Sequence, residues 1–213
     1  MQECPEWNKD ATPAEDVHIT AGVVRVHQAT IRAAKKIIPD HGTLKTWHKM
    51  LFGDVVPLPY YAGNFRGADR QRFPCLHGIA EIGGKFGVLP ESVADEMRKF
   101  ASNLVVQDKQ LHTYLKQEHN PGLQIFAKLG LIATAVGAFI RIHPFRNGNG
   151  RIARLLANYL AYRYDLPMPF MHPSRRPSDR DYDESGRQAM DGNFKPLAIY
   201  LFDSIANRLS PNP

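Results

Sequence analysis

A histidine, an arginine cluster and a glycine-rich turn stand together at His143-Pro144-Phe145-Arg146-Asn147-Gly148-Asn149-Gly150-Arg151-Ile152-Ala153-Arg154. Histidine is the side chain best suited to accept a proton near neutral pH. Arginines bind phosphate through paired N–H groups, and Arg146, Arg151 and Arg154 have no acid among them. Pro144 disfavours the α conformation at His143, so a helix should end there. Gly148 and Gly150 permit a tight backbone path before a new helix near Asn149 or Gly150. The first N–H groups of that helix have no intrahelical partner, which makes its start an anion site. Cations there oppose the helix dipole, a conflict that a polyphosphate would resolve. Arg151 and Arg154 are three residues apart and share a helix face.

Two Asn-Gly pairs also read as a hairpin signal. The flanks repeat at three and four residues rather than two, which specifies helices on both sides. Such a chemical loop between helices needs a buried scaffold to hold it.

These residues carry a family resemblance. The stretch resembles the Fic signature His-x-Phe-x-(Asp/Glu)-Gly-Asn-Gly-Arg-x-x-Arg at His143, Phe145, Gly148, Asn149, Gly150, Arg151 and Arg154. Asn147 departs from it, standing where the family has an acid. Upstream, Ala62-Gly63-Asn64-Phe65-Arg66 resembles the Ala-Gly-x-x-Arg run of the family. The resemblance implies an all-α fold with a small β-hairpin flap. It implies transfer of AMP from ATP to a Ser, Thr or Tyr hydroxyl of another protein, with release of pyrophosphate.

Carried onto this chain, His143 would take the hydroxyl proton. Gly148, Asn149 and Gly150 would hold phosphate oxygens, the Asn149 side chain adding a contact. Arg151 and Arg154 would bind the outer phosphates, and Phe145 would anchor the loop in the core. Asn147 would be a weak ligand for Mg²⁺, because a carboxamide brings oxygen without charge. The flap, at about 69–88, would align the target protein by strand pairing through His77, Gly78, Ile79, Ala80 and Glu81. His77 and Glu81 read as ordinary flap residues, not catalysts.

Fic relatives that phosphorylate carry lysine at the second motif glycine, and Gly150 argues against that branch. Transfer of another nucleotide or phosphate-containing group stays open. So does a non-catalytic nucleotide- or peptide-binding module, with Asn147 as its mark. The inhibitory Ser/Thr-x-x-x-Glu-Gly/Asn helix of many Fic proteins is not found. Met97 follows Ser92 and Glu96, and Thr12 is followed at the fourth position by Asp16. Constitutive competence or a separate inhibitory protein is expected.

The scaffold on either side of the motif reads as helices. Val17–Ile38 carries an apolar stripe ended by Pro39, an accessory helix within residues 1–42; the Fic domain proper would cover 43–209. Thr43–Phe52 is short, with Trp47 inward and His48 at the surface. Gly83-Gly84 would turn the flap hairpin. Pro90 opens a helix with a Val93, Met97, Phe100, Leu104 stripe, followed by a separate polar helix, Asp108–Glu118. Gly122–Ile142 is apolar but interrupted by Lys128 and Arg141, which suits a buried central helix rather than a membrane span. After the motif, Leu155, Leu156, Tyr159 and Leu160 continue a buried face. Ser178 would cap the next helix, which accounts for Asp179, Asp181, Asp183 and Glu184 without catalysis. Pro196 would start the last helix.

The 213 residues suit one domain, 43% hydrophobic and 10% aromatic, with a charge of +6. The basic residues are scattered, which argues against a nucleic-acid partner. Cys4 and Cys75 give neither a metal spacing nor a disulfide framework. The polar Met1–Asp16 stretch lacks the apolar core of a secretory signal. The expectation is cytoplasmic, with secretion lacking a cleaved signal left open.

Overall fold

The computed structural model describes residues 3–7 and 12–209. Among the described residues the chain forms α1 (Pro13–Ala34), α2 (His41–Phe52), the hairpin β1 (Glu81–Ile82) and β2 (Lys85–Phe86), α3 (Pro90–Gln117), α4 (Pro121–Ile142), α5 (Asn149–Arg163), α6 (Arg180–Met190) and α7 (Lys195–Leu209). This is the mainly helical architecture with one small antiparallel hairpin that the sequence implied. Glu81 pairs with Phe86 and Ile82 with Lys85 around the Gly83-Gly84 turn.

Helix α4 is the centre, packed by α3, α5, α6 and α7. Its length and hydropathy would also suit a membrane crossing. Here Leu129, Ile132, Ala133 and Phe139 are buried in a core shared with α5 residues Ile152, Ala153, Leu156 and Leu160. Gly137 lets α6 approach: a Cβ there would lie 2.8 Å from the Ala189 Cβ. Helix α1 packs on α2 and α5, and Ile19, Val23 and Val26 join the same core.

Several boundaries moved for identifiable reasons. Helix α1 starts at Pro13 because Thr12 and Glu15 form a reciprocal capping box. Asp40 caps α2 by accepting from the Thr43 N–H. The stretch expected as two helices is one, α3, because nothing from 104 to 111 breaks it and Leu104, Asp108 and Leu111 bury the same face. Asp108 satisfies its buried carboxylate with both Arg163 nitrogens, Nε and Nη2, each at 2.8 Å, and with the Tyr164 hydroxyl at 2.8 Å. Asp179, not Ser178, caps α6.

Two expectations are corrected. Cys4 and Cys75 are disulfide-bonded across 71 residues. Spacing could not reveal this, because the pairing depends on the tail folding back against the base of the flap. His48 is buried, not superficial. It faces the 143–149 loop rather than solvent.

Candidate active site

Helix α4 ends at His143, whose backbone adopts the left-handed conformation with φ 51°. The proline that follows excludes the α conformation there. The chain then turns through 144–148, and Gly148 caps the start of α5 with φ 78°. A side chain at 148 would be strained by that φ, and its Cβ would meet the Phe52 ring at 2.5 Å.

The turn is held from inside. Phe145 is fully buried and stacks on the His48 ring with centroids 3.8 Å apart. The Gly63 N–H donates to His48 Nδ1 at 3.0 Å, so Nε2 carries the hydrogen and donates to the Asn147 carbonyl at 3.0 Å. Burial pushes the His48 pKa down to about 3, although the bond to the Asn147 carbonyl works the other way. His48 is therefore a neutral brace.

Arg66 is a second brace. Its guanidinium is buried, and its hydrogen bonds among the described residues go to backbone carbonyls. It donates to the carbonyls of His143 at 2.8 Å, Ile142 at 3.1 Å, Gly78 at 3.1 Å and Val88 at 2.8 Å. The end of α4 and both feet of the flap are thereby joined. Burial first, then the nearby Arg146 charge, lowers its pKa to about 10.

The chemical groups converge on one cavity of about 1020 Å³. His143, Arg146, Asn147, Gly148, Asn149, Gly150, Arg151 and Arg154 line it, facing flap residues 79–83 and Arg175 and Arg176. His143 Nδ1 lies 3.3 Å from the Ile140 carbonyl. A carbonyl only accepts, so in the neutral ring Nδ1 carries the hydrogen and Nε2 the lone pair. Arg151 Nε donates to the Ser174 carbonyl at 3.1 Å and Arg154 Nε to the Pro173 carbonyl at 2.9 Å. Arg154 also donates to the Tyr182 hydroxyl at 3.3 Å. The 173–174 backbone thus aims both arginines.

Not every expected role matches the geometry. Asn149 is buried, and its carboxamide exchanges two bonds with Phe145: Phe145 N–H to Oδ1 and Asn149 Nδ2 to the Phe145 carbonyl, both 2.9 Å. The side chain thus braces the loop, and the residue also lines the cavity at the start of α5. The Gly148 N–H donates to Asn147 Oδ1 at 2.6 Å. On the flap, His77 Nε2 donates to the Ala68 carbonyl at 2.8 Å. Gly78 lies against Arg146, and Ile79, Ala80 and Glu81 border the cavity.

At 147 the loop offers a magnesium ion a carboxamide oxygen and no carboxylate. Asn147 Oδ1 already accepts the Gly148 N–H, and its Nδ2 donates to the Trp7 carbonyl at 3.3 Å. No group of three or more His, Cys, Asp or Glu side chains clusters suitably among the described residues.

Residues Ser92 and Glu96 line a separate groove between α3 and α4. Asp16 instead borders the active-site cavity, 3.8 Å from Arg175. His48, the carbonyl targets of Arg66 and the Trp7 contact were missed in the sequence. Only the Ala-Gly-x-x-Arg run hinted at Arg66.

Known proteins resemble this chain in sequence and in fold. A protein adenylyltransferase Fic from Drosophila virilis is 28% identical over 127 residues, covering 60% of this chain and 25% of that protein. Its Drosophila melanogaster counterpart is 26% identical over 162 residues, covering 76% and 27%. The chain thus spans about a quarter of the length of these relatives. A Fic-domain signalling protein from Bacteroides thetaiotaomicron superposes with a TM-score of 0.61 at 18% identity, covering 96% of this chain and 76% of that one. The VirB-translocated effector BepC from Bartonella tribocorum, solved with AMPPNP, gives 0.56 at 17%, covering 90% and 87%. The Fic/DOC family model matches residues 39–161, from the cap of α2 through the catalytic loop into α5, and the chain belongs to that family.

Proposed function

We propose that this protein is a transferase that moves AMP from ATP to a Ser, Thr or Tyr hydroxyl of another protein. The observation that carries the reading is the single cavity shared by His143, the Arg151–Arg154 face and the flap. His143 Nε2 takes the hydroxyl proton, and the hydroxyl oxygen attacks the α-phosphorus. The bond from that phosphorus to the bridging oxygen breaks, and pyrophosphate leaves. Arg151 and Arg154 hold the leaving phosphates, and the N–H groups at the start of α5 face the anion. The outer edge of β1 aligns a strand of the target by main-chain bonds. Nucleotide binding by a neighbour of the same fold, BepC with AMPPNP, agrees with this use of the cavity.

The engaged Asn147 carboxamide favours a second reading, a slow transferase or a nucleotide-binding module. A separate inhibitory protein would act on the same cationic wall. The test uses ATP labelled at the α- or the γ-phosphate, with host lysate as acceptor and His143→Ala as control. Label retained only from the α position, and lost in the variant, is the expected result. ATP binding with no transfer from either position would select the binding module.

A further inference from the structure

Residues 3–7 bring Glu6 and Trp7 to a wall of the cavity that the family signature does not include. Cys4 is bonded to Cys75 at the base of the flap. The Tyr61 hydroxyl donates to the Pro5 carbonyl at 3.1 Å. Trp7 packs its ring edge-on to Phe52 at 5.3 Å, stacked with Tyr61 at 6.2 Å, and edge-on to His48 at 5.9 Å. Its carbonyl accepts from Asn147 Nδ2 at 3.3 Å. Glu6 and Trp7 border the same cavity as His143, Arg151 and Arg154.

Asn147 is the link between this wall and the loop. One end of its carboxamide donates to the Trp7 carbonyl, and the other accepts the Gly148 N–H. A carboxylate has no hydrogen to give Trp7 and would set two acceptors against each other. This gives the Asn at 147 a positive function where Fic relatives have an acid.

Residues 3–7 have no helix or strand of their own, and such a segment stays ordered only when it is tied down. Among the described residues, the hydrogen bonds at Pro5 and Trp7 and the Trp7 ring contacts are each weak against the backbone entropy of ordering the segment. A covalent bond across 71 residues removes most of that disadvantage. The order of the wall therefore depends on the cysteine pair.

We propose that residues 3–7 are a redox-locked strap: with Cys4 and Cys75 joined, Trp7 holds Asn147 and the 146–149 turn, and with the pair reduced the strap leaves and the turn loosens. The reductant is a dithiol. It supplies two electrons and two protons, the sulfur–sulfur bond becomes two thiols, and the dithiol closes into its own disulfide. Strap release also withdraws Glu6 and Trp7 from the cavity.

The experiment is amide hydrogen exchange on the full chain without nucleotide, so its outcome does not depend on AMP transfer. Oxidised protein, dithiothreitol-treated protein, Cys75→Ser and oxidised Asn147→Asp are compared, with thiol titration of each. Exchange across 146–149 is expected to rise about tenfold on reduction and in Cys75→Ser, with α3 and α7 unchanged. Asn147→Asp should raise it there while the cysteines stay bonded. Free thiols in oxidised protein, or equal loop exchange in both states, would overturn the proposal. A rise spread evenly over α3–α7 would also overturn it, because the bond would then support the whole fold and not the loop.

Discussion

His48 on α2 and Asn147 in the catalytic loop are joined by a hydrogen bond of 3.0 Å from ring Nε2 to the main-chain carbonyl. The same ring accepts from Gly63 at 3.0 Å and stacks on Phe145. Three separated segments therefore meet on one neutral imidazole. His48→Ala removes a buried ring and leaves two backbone groups unpaired, which should cost about 2–4 kcal/mol. Denaturant unfolding of the variant measures it.

The same residue makes stability depend on pH. His48 titrates near 6.5 when unfolded and at about 3 when folded. Below pH 6.5 the unfolded chain binds the extra proton, so stability falls as pH falls and is fully present above 6.5. The loss should be about 1.4 kcal/mol per pH unit until the folded group titrates. His48→Gln should remove that slope, and unfolding free energies over this range decide the point.

Arg66 joins the end of α4 to the flap through four carbonyls. A lysine ammonium cannot reach them all, because its three donors sit on one atom. Arg66→Lys should lower stability by about 2–3 kcal/mol and raise amide exchange at the flap feet, 78 and 88, more than elsewhere. Unfolding and exchange measured together test this.

Arg154 is aimed by the Pro173 carbonyl and the Tyr182 hydroxyl. Arg154→Lys keeps the charge and loses the fork. Affinity for a non-hydrolysable ATP analogue should fall about 10- to 100-fold, with little change in melting temperature. Calorimetric titration reads the first and thermal unfolding the second.

Asp108 and Arg163 form a structural pair remote from the cavity. Burial raises the Asp108 pKa, but the hydrogen bonds from Arg163 and Tyr164 outweigh it and hold the group below the usual range. Its contribution is present above the unfolded carboxylate pKa and is lost as pH falls through the lower folded value. Asp108→Asn should cost about 3 kcal/mol by leaving Arg163 poorly compensated, with nucleotide affinity unchanged in the folded protein. This contrasts with Arg154→Lys in the same two measurements.

The local devices were legible in the sequence because they act over a few residues. Pro144 ending α4, Gly148 taking a positive φ, and proline at the starts of α3 and α4 are constraints of the chain on itself. A contiguous catalytic loop therefore announced itself, with its histidine and arginines in order. What joins that loop to the rest did not. His48 reads as a surface residue on a short helix, Cys4 and Cys75 as unrelated, and the Asn149 side chain shows no sign of its bracing bonds. Their roles follow from packing: α2 turns His48 onto Phe145, the tail returns to the flap base, and burial commits the Asn149 carboxamide to Phe145. Residue types and short spacings determined the chemistry available to this protein. Tertiary structure alone decided which polar groups brace the loop and which remain for a ligand, because a hydrogen bond depends on distances that sequence separation does not encode.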